Sequence, residues 1–334
     1  MTISVIRAGV QTTVQDLGRH GFQRYGVPVC GAMDAYSLEV ANLLVGNDRN
    51  AAGLEMTLDG PALEFDADTL LAVCGADLSP HVGATAVPNM RPVWIVTGSR
   101  LEFGHSRLGC RAYFAVAGGL DVPAVLGSRS TYSRAALGGI DGRAVKRGDH
   151  LAVMPASTPR YPKLRTQLAT AGAGSVFPHW SASVRPERLS RSPQIIRFVA
   201  GRHWELLSQE ARSQFASAEY RVGADSDRMG YRLEGAALES GERAESLSEP
   251  TAFGTIQLPP DGNPIVLMAD RQTTGGYPRI GEVASVDLPL LAQLKPLDRL
   301  RFERIALTEA QRLLHVQAQT LAQIREAVNL HLHE

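Results

Sequence analysis

What most constrains this chain is the brevity of its apolar runs. Val, Ile, Leu and Phe gather in segments of four to seven residues bounded by Gly, Pro or Asp: Ile3–Arg7, Leu63–Asp66, Leu70–Cys74, Val93–Val96, Arg111–Ala117, Gln194–Val199, Pro264–Ala269 and Val283–Asp287. Runs of that length suit strands better than helices. The chain's 32 Gly and 19 Pro punctuate them. One pattern recurs at Gly98–Phe103, Gly148–Val153 and Leu297–Phe302, where a polar turn launches an alternating strand. The prediction is a mainly β protein, without the regular alternation of strand and helix that a parallel sheet requires.

Helices are few. Asp34 is placed to cap a helix over about 35–45, ended by Gly46, with a shorter one from Asn47. Trp204 to Phe215 is a second segment. The clearest runs from Thr308 to about Leu330, where Thr308 and Gln311 form a capping box and Ala310, Leu313, Leu314, Ala318, Leu321, Ile324 and Val328 form a stripe. At 334 residues the chain is long enough for two domains. Six prolines and small residues replace the strand pattern over 155–193. The expected organisation is an N-terminal β-rich lobe over 1–154, a Pro-rich linker over 155–193, and a C-terminal β-rich lobe over 194–334 carrying the last helix.

Composition excludes several functions. Basic and acidic residues balance at 34 each, which gives no electrostatic ground for a nucleic-acid or membrane partner. Only Lys146, Lys163 and Lys295 are lysines, none follows Gly, and none lies between methionines. A phosphate-cradling Gly-Lys loop and an attached biotin on this chain are therefore both excluded. Cys30, Cys74 and Cys110 make no paired motif, so they read as buried small residues, and no metal site is expected. No apolar run reaches 18 residues and the N-terminus lacks a leader pattern, so a cytoplasmic protein is expected. Nucleophile-elbow and zinc-protease motifs are absent.

The densest cluster of unusual residues lies late in the chain: Asp227-Arg228-Met229-Gly230, Ser248-Glu249-Pro250, Gly254 to Pro259, and Ala269 to Pro278. After an apolar strand the last stretch abruptly offers Asp270, Arg271, Gln272, Thr273 and Thr274, then Gly275, Gly276 and Tyr277. Alone, such a stretch is a glycine turn capped by Thr and Asp. Four polar-glycine clusters within about fifty residues point instead to a site. Carboxamides and hydroxyls hydrogen-bond an amide or carboxylate, and glycines let backbone N–H groups approach it. Asp270, Gln272, Thr273 and Thr274 are the catalytic candidates. Asp227, Arg228, Met229, Gly230, Gln257, Arg271, Gly275, Gly276 and Tyr277 are the substrate-binding candidates. Arg228 or Arg271 is expected to neutralise a carboxylate or phosphate, and Asp270 to orient or shuttle a proton. Near the N-terminus, Arg19 and Arg24 offer a second clamp, but an ion pair of Asp16 with Arg19 inside a turn is the better reading.

At these residues the chain resembles the allophanate hydrolase subunit 2 or biotin-dependent carboxyltransferase-like family, which includes the C component of bacterial 5-oxoprolinase, the KipI antagonist and part of the urea carboxylase carboxyltransferase domain. The motifs are Thr12-Thr-Val-Gln-Asp16, Gly31-x-Met-Asp34, Ala41 to Asn47, Leu54 to Leu58, Arg111-Ala-Tyr113, Val116 to Asp121, Gly127 to Thr131, Asp227 to Leu233, Gly262 to Met268 and Gln272 to Pro278, from about Ile3 to Phe302. The resemblance implies cyclophilin-like barrel lobes and a KipI-like, allophanate hydrolase subunit 1-like partner. It further implies a LamB/YcsF-like third subunit and an ATP-dependent complex that opens 5-oxo-L-proline to L-glutamate. An alternative implied function is carboxyl transfer from carboxybiotin to urea or a related amide, with biotin carried elsewhere. A third is non-catalytic antagonism of a KipI-like kinase inhibitor. Two positions depart from the family pattern: Gly201-Arg202 stands for Gly-Pro and is expected to alter a pocket rim, and Pro296-Leu297 stands for Pro-Gly and is expected to change a turn.

Overall fold

The computed structural model describes residues 1–156, 175–182, 189–239 and 247–333. The chain is mainly β and divides into two compact units. One comprises 1–18, 34–185 and 319–334; the other comprises 19–33 and 186–318.

In the first unit the strands are β1 (Thr2–Arg7), β2 (Gln11–Gln15), β3 (Gly53–Thr57), β4 (Ala62–Phe65), β5 (Thr69–Asp77), β6 (His81–Val82), β7 (Thr85–Ala86), β8 (Pro92–Ile95), β9 (Arg100–Glu102), β10 (Leu108–Val116), β11 (His150–Ala152) and β12 (Ser175–Val176). They form two six-stranded sheets, ordered β11-β1-β4-β9-β6-β7 and β12-β8-β5-β10-β3-β2. Ile3, Val5, Leu63, Phe65 and Leu101 of one sheet meet Val14, Leu54, Val73, Ala112 and Phe114 of the other in one apolar core. The opposite faces of β5 and β10 are also covered. Ala72, Cys74 and Ala115 cluster with Val40, Ala41 and Leu44 of helix α1 (Ala35–Leu44). Burial on both faces explains why these strands read as nearly continuous apolar runs. The side chain of Asp34 accepts from the Ser37 N–H and caps α1 as expected.

Two motifs acquire structural roles in this unit. The Asp16 carboxylate accepts from Ser128 Oγ, Ser130 Oγ and the N–H groups of Gly18 and Arg129, tying β2 to the 127–131 turn. Asn47 bonds the Val116 carbonyl and the Gly118 N–H, anchoring the end of α1 to β10.

The second unit contains β13 (Gln194–Ala200), helix α2 (Gln209–Ser217), β14 (Glu219–Val222), β15 (Gly230–Glu234), β16 (Glu249–Pro250), β17 (Thr255–Gln257), β18 (Ile265–Leu267), β19 (Thr274–Gly275), β20 (Arg279–Val283), helix α3 (Leu288–Ala292) and β21 (Arg299–Arg304). Seven strands close a barrel in the order β13-β20-β17-β18-β15-β14-β21, and β16 pairs with β19 in a separate ribbon. Ile196, Phe198, Tyr220, Val222, Tyr231, Leu233, Ile256, Val266, Ile280, Leu300 and Phe302 fill the barrel core. On β14, β15 and β21 the alternate residues are exposed polar groups such as Arg221, Arg232 and Arg301. On β17 they are Thr255 and Gln257, at 0% and 1% exposure. That departure from polar-out alternation marks where the barrel wall is covered.

Several expectations need correction. Val283 ends β20, and Ser285–Asp287 is a 3-10 turn in which Asp287 pairs with Arg197. Trp204–Leu206 is likewise a short 3-10 turn, and α2 starts after it, capped by Ser208. The last helix, α4 (Leu307–His333), begins just before Thr308. Only Leu321 and Val328 of its expected stripe are buried, joining the α1 cluster, while Leu314 is 46% exposed. Where continuous lobes over 1–154 and 194–334 are expected, residues 19–33 join the second unit and 319–334 the first. The reason lies in partners: the Gly31 carbonyl bonds Arg228, and Leu321 and Val328 find their apolar neighbours in the first unit. Most of the expected 155–193 linker lies outside the described residues. No described helix is long and apolar enough to cross a membrane.

Candidate functional site

The candidate residues gather on the second unit, around the covered outer face of β17. Asp227 builds a turn. Its carboxylate accepts from the N–H groups of Met229 and Gly230 at 2.7 and 3.3 Å, which starts β15. Asp227 is exposed and Met229 and Gly230 half-buried. All three act in shaping the backbone that aims Arg228 inward.

Arg228 is buried and does not face a free ligand position. Its Nε and Nη2 donate to the two oxygens of Asp270 at 2.9 and 2.8 Å, and Nη2 also donates to the Gly31 carbonyl at 2.6 Å. The backbone repeats the tie, since the Asp270 N–H donates to the Arg228 carbonyl at 2.8 Å. In this arrangement the Arg228 guanidinium neutralises Asp270, and Asp270 is held in position with both oxygens engaged.

Cys30 completes this knot. Its thiol donates to the Pro28 carbonyl at 3.7 Å and is pushed up to about 12, first by burial and then by the Asp270 carboxylate, against the opposing pull of Arg19 and Arg228. The thiol is thus a protonated donor. Cys30 adopts φ of 58°, a left-handed conformation uncommon for a side-chain-bearing residue. In the sequence Cys30 reads only as a buried small residue; the Pro28-Val-Cys-Gly31 turn is the signal that could have placed it at the site.

The adjacent Arg271 has a different environment. It is 7% exposed, its Nε has no acceptor among the described residues, and its Nη1 lies 3.4 Å from the Met268 carbonyl. The guanidinium carbon sits 5.9 Å from the centre of the Phe253 ring. Burial lowers its pKa, only partly countered by Cys30, Glu282 and Asp270. Glu282, on β20 beside Thr255, is pushed above the usual carboxylate range by burial. It accepts from Thr255 Oγ1 at 2.8 Å. Thr255 and Glu282 were missed in the sequence; each is a polar residue alternating with apolar ones in a strand.

The β16–β19 ribbon covers this face. Thr251 fastens it, donating through Oγ1 to the Gln272 carbonyl at 2.6 Å and through N–H to the Thr273 carbonyl at 3.0 Å. Glu249 pairs with Arg279 and with Arg202. The departure at Arg202 thus bears on the ribbon's rim. Gly275 is needed for space: a Cβ there would stand 2.4 Å from Gln257 Nε2, 3.2 Å from Gln272 Nε2 and 3.3 Å from Thr251 Cγ2. Two carboxamides therefore approach one another over a bare backbone. Gln257 Nε2 has no partner among the described residues, and Gln272 is exposed at the ribbon's edge. Thr274, Gly276 and Tyr277 are exposed, and Thr273 is half-buried. Chemically, the site offers carboxamide and guanidinium donors without strong bases or, among the described residues, any cluster of metal ligands. Arg24 is outside it, stacked on Tyr25.

The family described as carboxyltransferase domain, subdomain A and B, matches residues 25–304. A protein named as the C component of 5-oxoprolinase, from Escherichia coli K12, is 37% identical over 308 residues, covering 92% of this chain and 93% of that one. Its namesake from Haemophilus influenzae is 34% identical, covering 98% and 99%. The crystal structure of Kluyveromyces lactis urea carboxylase superposes with a TM-score of 0.86 at 30% identity, covering 98% of this chain but only 29% of that larger one.

Proposed function

Because the chain belongs to the carboxyltransferase-domain family, we propose that it is the C component of a 5-oxoprolinase complex that opens 5-oxo-L-proline to L-glutamate. The observation that carries this reading is the near end-to-end match to two proteins that bear that component's name. The reaction breaks the lactam C–N bond; water supplies hydroxide to the carbonyl carbon and a proton to the nitrogen. ATP enters as a co-substrate of the assembled complex. The KipI-like and LamB/YcsF-like subunits are the partners this reading requires.

On this chain, the carboxamides of Gln257 and Gln272, which meet beside Gly275, are the donors for the planar lactam, and Thr273 and Thr274 add hydroxyls at the ribbon. Donors fixed around the carbonyl stabilise negative charge that develops on its oxygen. Asp270 and Arg228 hold the wall behind them. A biotin-dependent carboxyltransferase acting on urea is the second reading, supported by the likeness to urea carboxylase. It needs a biotin carrier on another chain. Reconstitution separates the readings. ATP hydrolysis dependent on 5-oxo-L-proline, and lost when this chain is omitted, is the expected result. Full activity without the chain refutes its part in the reaction, and carboxybiotin-dependent carboxylation of urea selects the second reading.

A further inference from the structure

Gln257 offers a donor to an amide yet is closed off from solvent. It is 1% exposed, and Thr255, two residues earlier on the same face of β17, is 0% exposed. The β16–β19 ribbon covers them, so closely that a Cβ on Gly275 would stand 2.4 Å from Gln257 Nε2. With the ribbon in place there is no room beside that carboxamide, so a ligand meets it only when the ribbon lifts. The ties of the ribbon are unequal. At its root, Asp270 is locked to Arg228 by two buried hydrogen bonds. Along β16 the ties to the barrel wall run through Glu249, which pairs with Arg279 at the start of β20, at 2.9 Å, and with Arg202. Arg279 Nη1 adds a bond to the Pro250 carbonyl at 3.1 Å. Glu249 and Arg279 are half-buried and Arg202 is 69% exposed, so water and salt reach both pairs. Exposed pairs are weak and screened by salt, whereas the buried pair at the root is neither. Thr251 meanwhile bonds the Gln272 and Thr273 carbonyls, which keeps the two strands of the ribbon together when its outer ties part.

We propose that the β16–β19 ribbon is a strap rooted at the Arg228–Asp270 pair and latched by Glu249, and that the latch must open before an amide reaches Gln257. Glu249 and Arg202 are then positioning residues: they act on the substrate through the ribbon that carries Gln272, Thr273 and Thr274. Arg202 stands where the resembled family has Pro, so the second arm of the latch is a departure of this chain. What the strap admits rests on the amide-opening reading; that it opens at Glu249 does not.

The test measures access to the covered face of β17 without needing turnover. A thiol is placed under the ribbon as Gln257→Cys in the full chain, and its labelling by N-ethylmaleimide is followed by peptide mass spectrometry, which separates it from the buried Cys30, Cys74 and Cys110. Glu249→Gln and Arg202→Gln are then added in turn. They break the same pair but shift the local charge in opposite directions, so a common acceleration reports opening rather than ionisation of the thiol. Each should speed labelling by about threefold or more, the scale of a lost exposed pair. Raising salt from about 0.05 M to about 0.5 M should speed labelling with the latch intact and leave Glu249→Gln unchanged. Where Gln257→Cys does not fold, Thr255→Cys repeats the measurement on the same face. Labelling that neither variant nor salt alters overturns the strap, and so does labelling no faster than global unfolding. In the reconstituted complex, Glu249→Gln with native Gln257 should raise KM for 5-oxo-L-proline more than it changes kcat. Turnover with a KM indifferent to Glu249→Gln and to salt refutes the latch. If labelling responds as expected but no variant and no wild type turns over 5-oxo-L-proline, the strap stands and the oxoprolinase reading falls.

Discussion

The Arg228–Asp270 pair gives the sharpest stability prediction. The two side chains are 9% and 10% exposed and joined by two hydrogen bonds, so solvent screening is slight. Truncating Asp270 to Ala strands the guanidinium, and should cost about 3–5 kcal/mol. Arg228→Met strands the carboxylate and should cost a similar amount. The double variant Arg228→Met/Asp270→Leu removes both charges and should cost only about 1–2 kcal/mol, because an apolar replacement of a buried pair is often close to neutral. The cycle should therefore show a coupling of several kcal/mol. Trp204 is buried in the second unit, whereas Trp94 and Trp180 belong to the first. Urea unfolding in a Trp94→Phe/Trp180→Phe background, followed by Trp204 fluorescence, reports the relevant unit. Additivity within about 0.5 kcal/mol would mean that the charges do not depend on one another, and the argument for Asp270 as a positioning group would fail with it.

Three further outcomes follow from single positions. Gly275→Ala puts a methyl 2.4 Å from the movable end of Gln257, so substrate turnover should fall more than about tenfold while unfolding free energy changes by under about 1 kcal/mol. A collapse of stability with unchanged turnover in the surviving fraction refutes this. Burial raises the Glu282 pKa, so the folded state binds its proton more tightly than the unfolded chain does. Stability of the second unit should fall as pH rises from the ordinary Glu value of 4.5 through the raised one. Glu282→Gln should flatten that slope in denaturation midpoints measured across pH, and a slope unchanged in the variant contradicts the assignment. Leu297 holds a left-handed φ of 77° and is exposed, so Leu297→Gly should stabilise by about 0.5–1 kcal/mol, the strain relieved exceeding the flexibility gained by the unfolded chain. Loss of stability in that variant counts against strain at the turn.

Much of the architecture was legible because its signals are local. The alternation at Leu297–Phe302 announced β21, and Asp34 announced the start of α1 through a bond to a residue three positions away. The clustering of Gln257, Arg271, Gln272 and Gly275 in one region was likewise visible, since the strands that carry them are close in the chain. The roles within that cluster were not. A carboxylate beside a glycine turn looks the same in sequence whether it is free or locked. Asp270 proves locked by residues that sequence order keeps well apart.

The chain order of apolar and breaking residues thus determined on its own that this protein is mainly β, where about half of its described strands lie, and which stretch is chemically unusual. Tertiary structure alone decided that Arg228 reaches Asp270 across 42 positions and Gly31 across 197, leaving Arg271 with a buried donor unmatched among the described residues. The reason is that backbone preferences act within a few residues, whereas compensation of buried charge depends on which groups packing brings within about 3 Å.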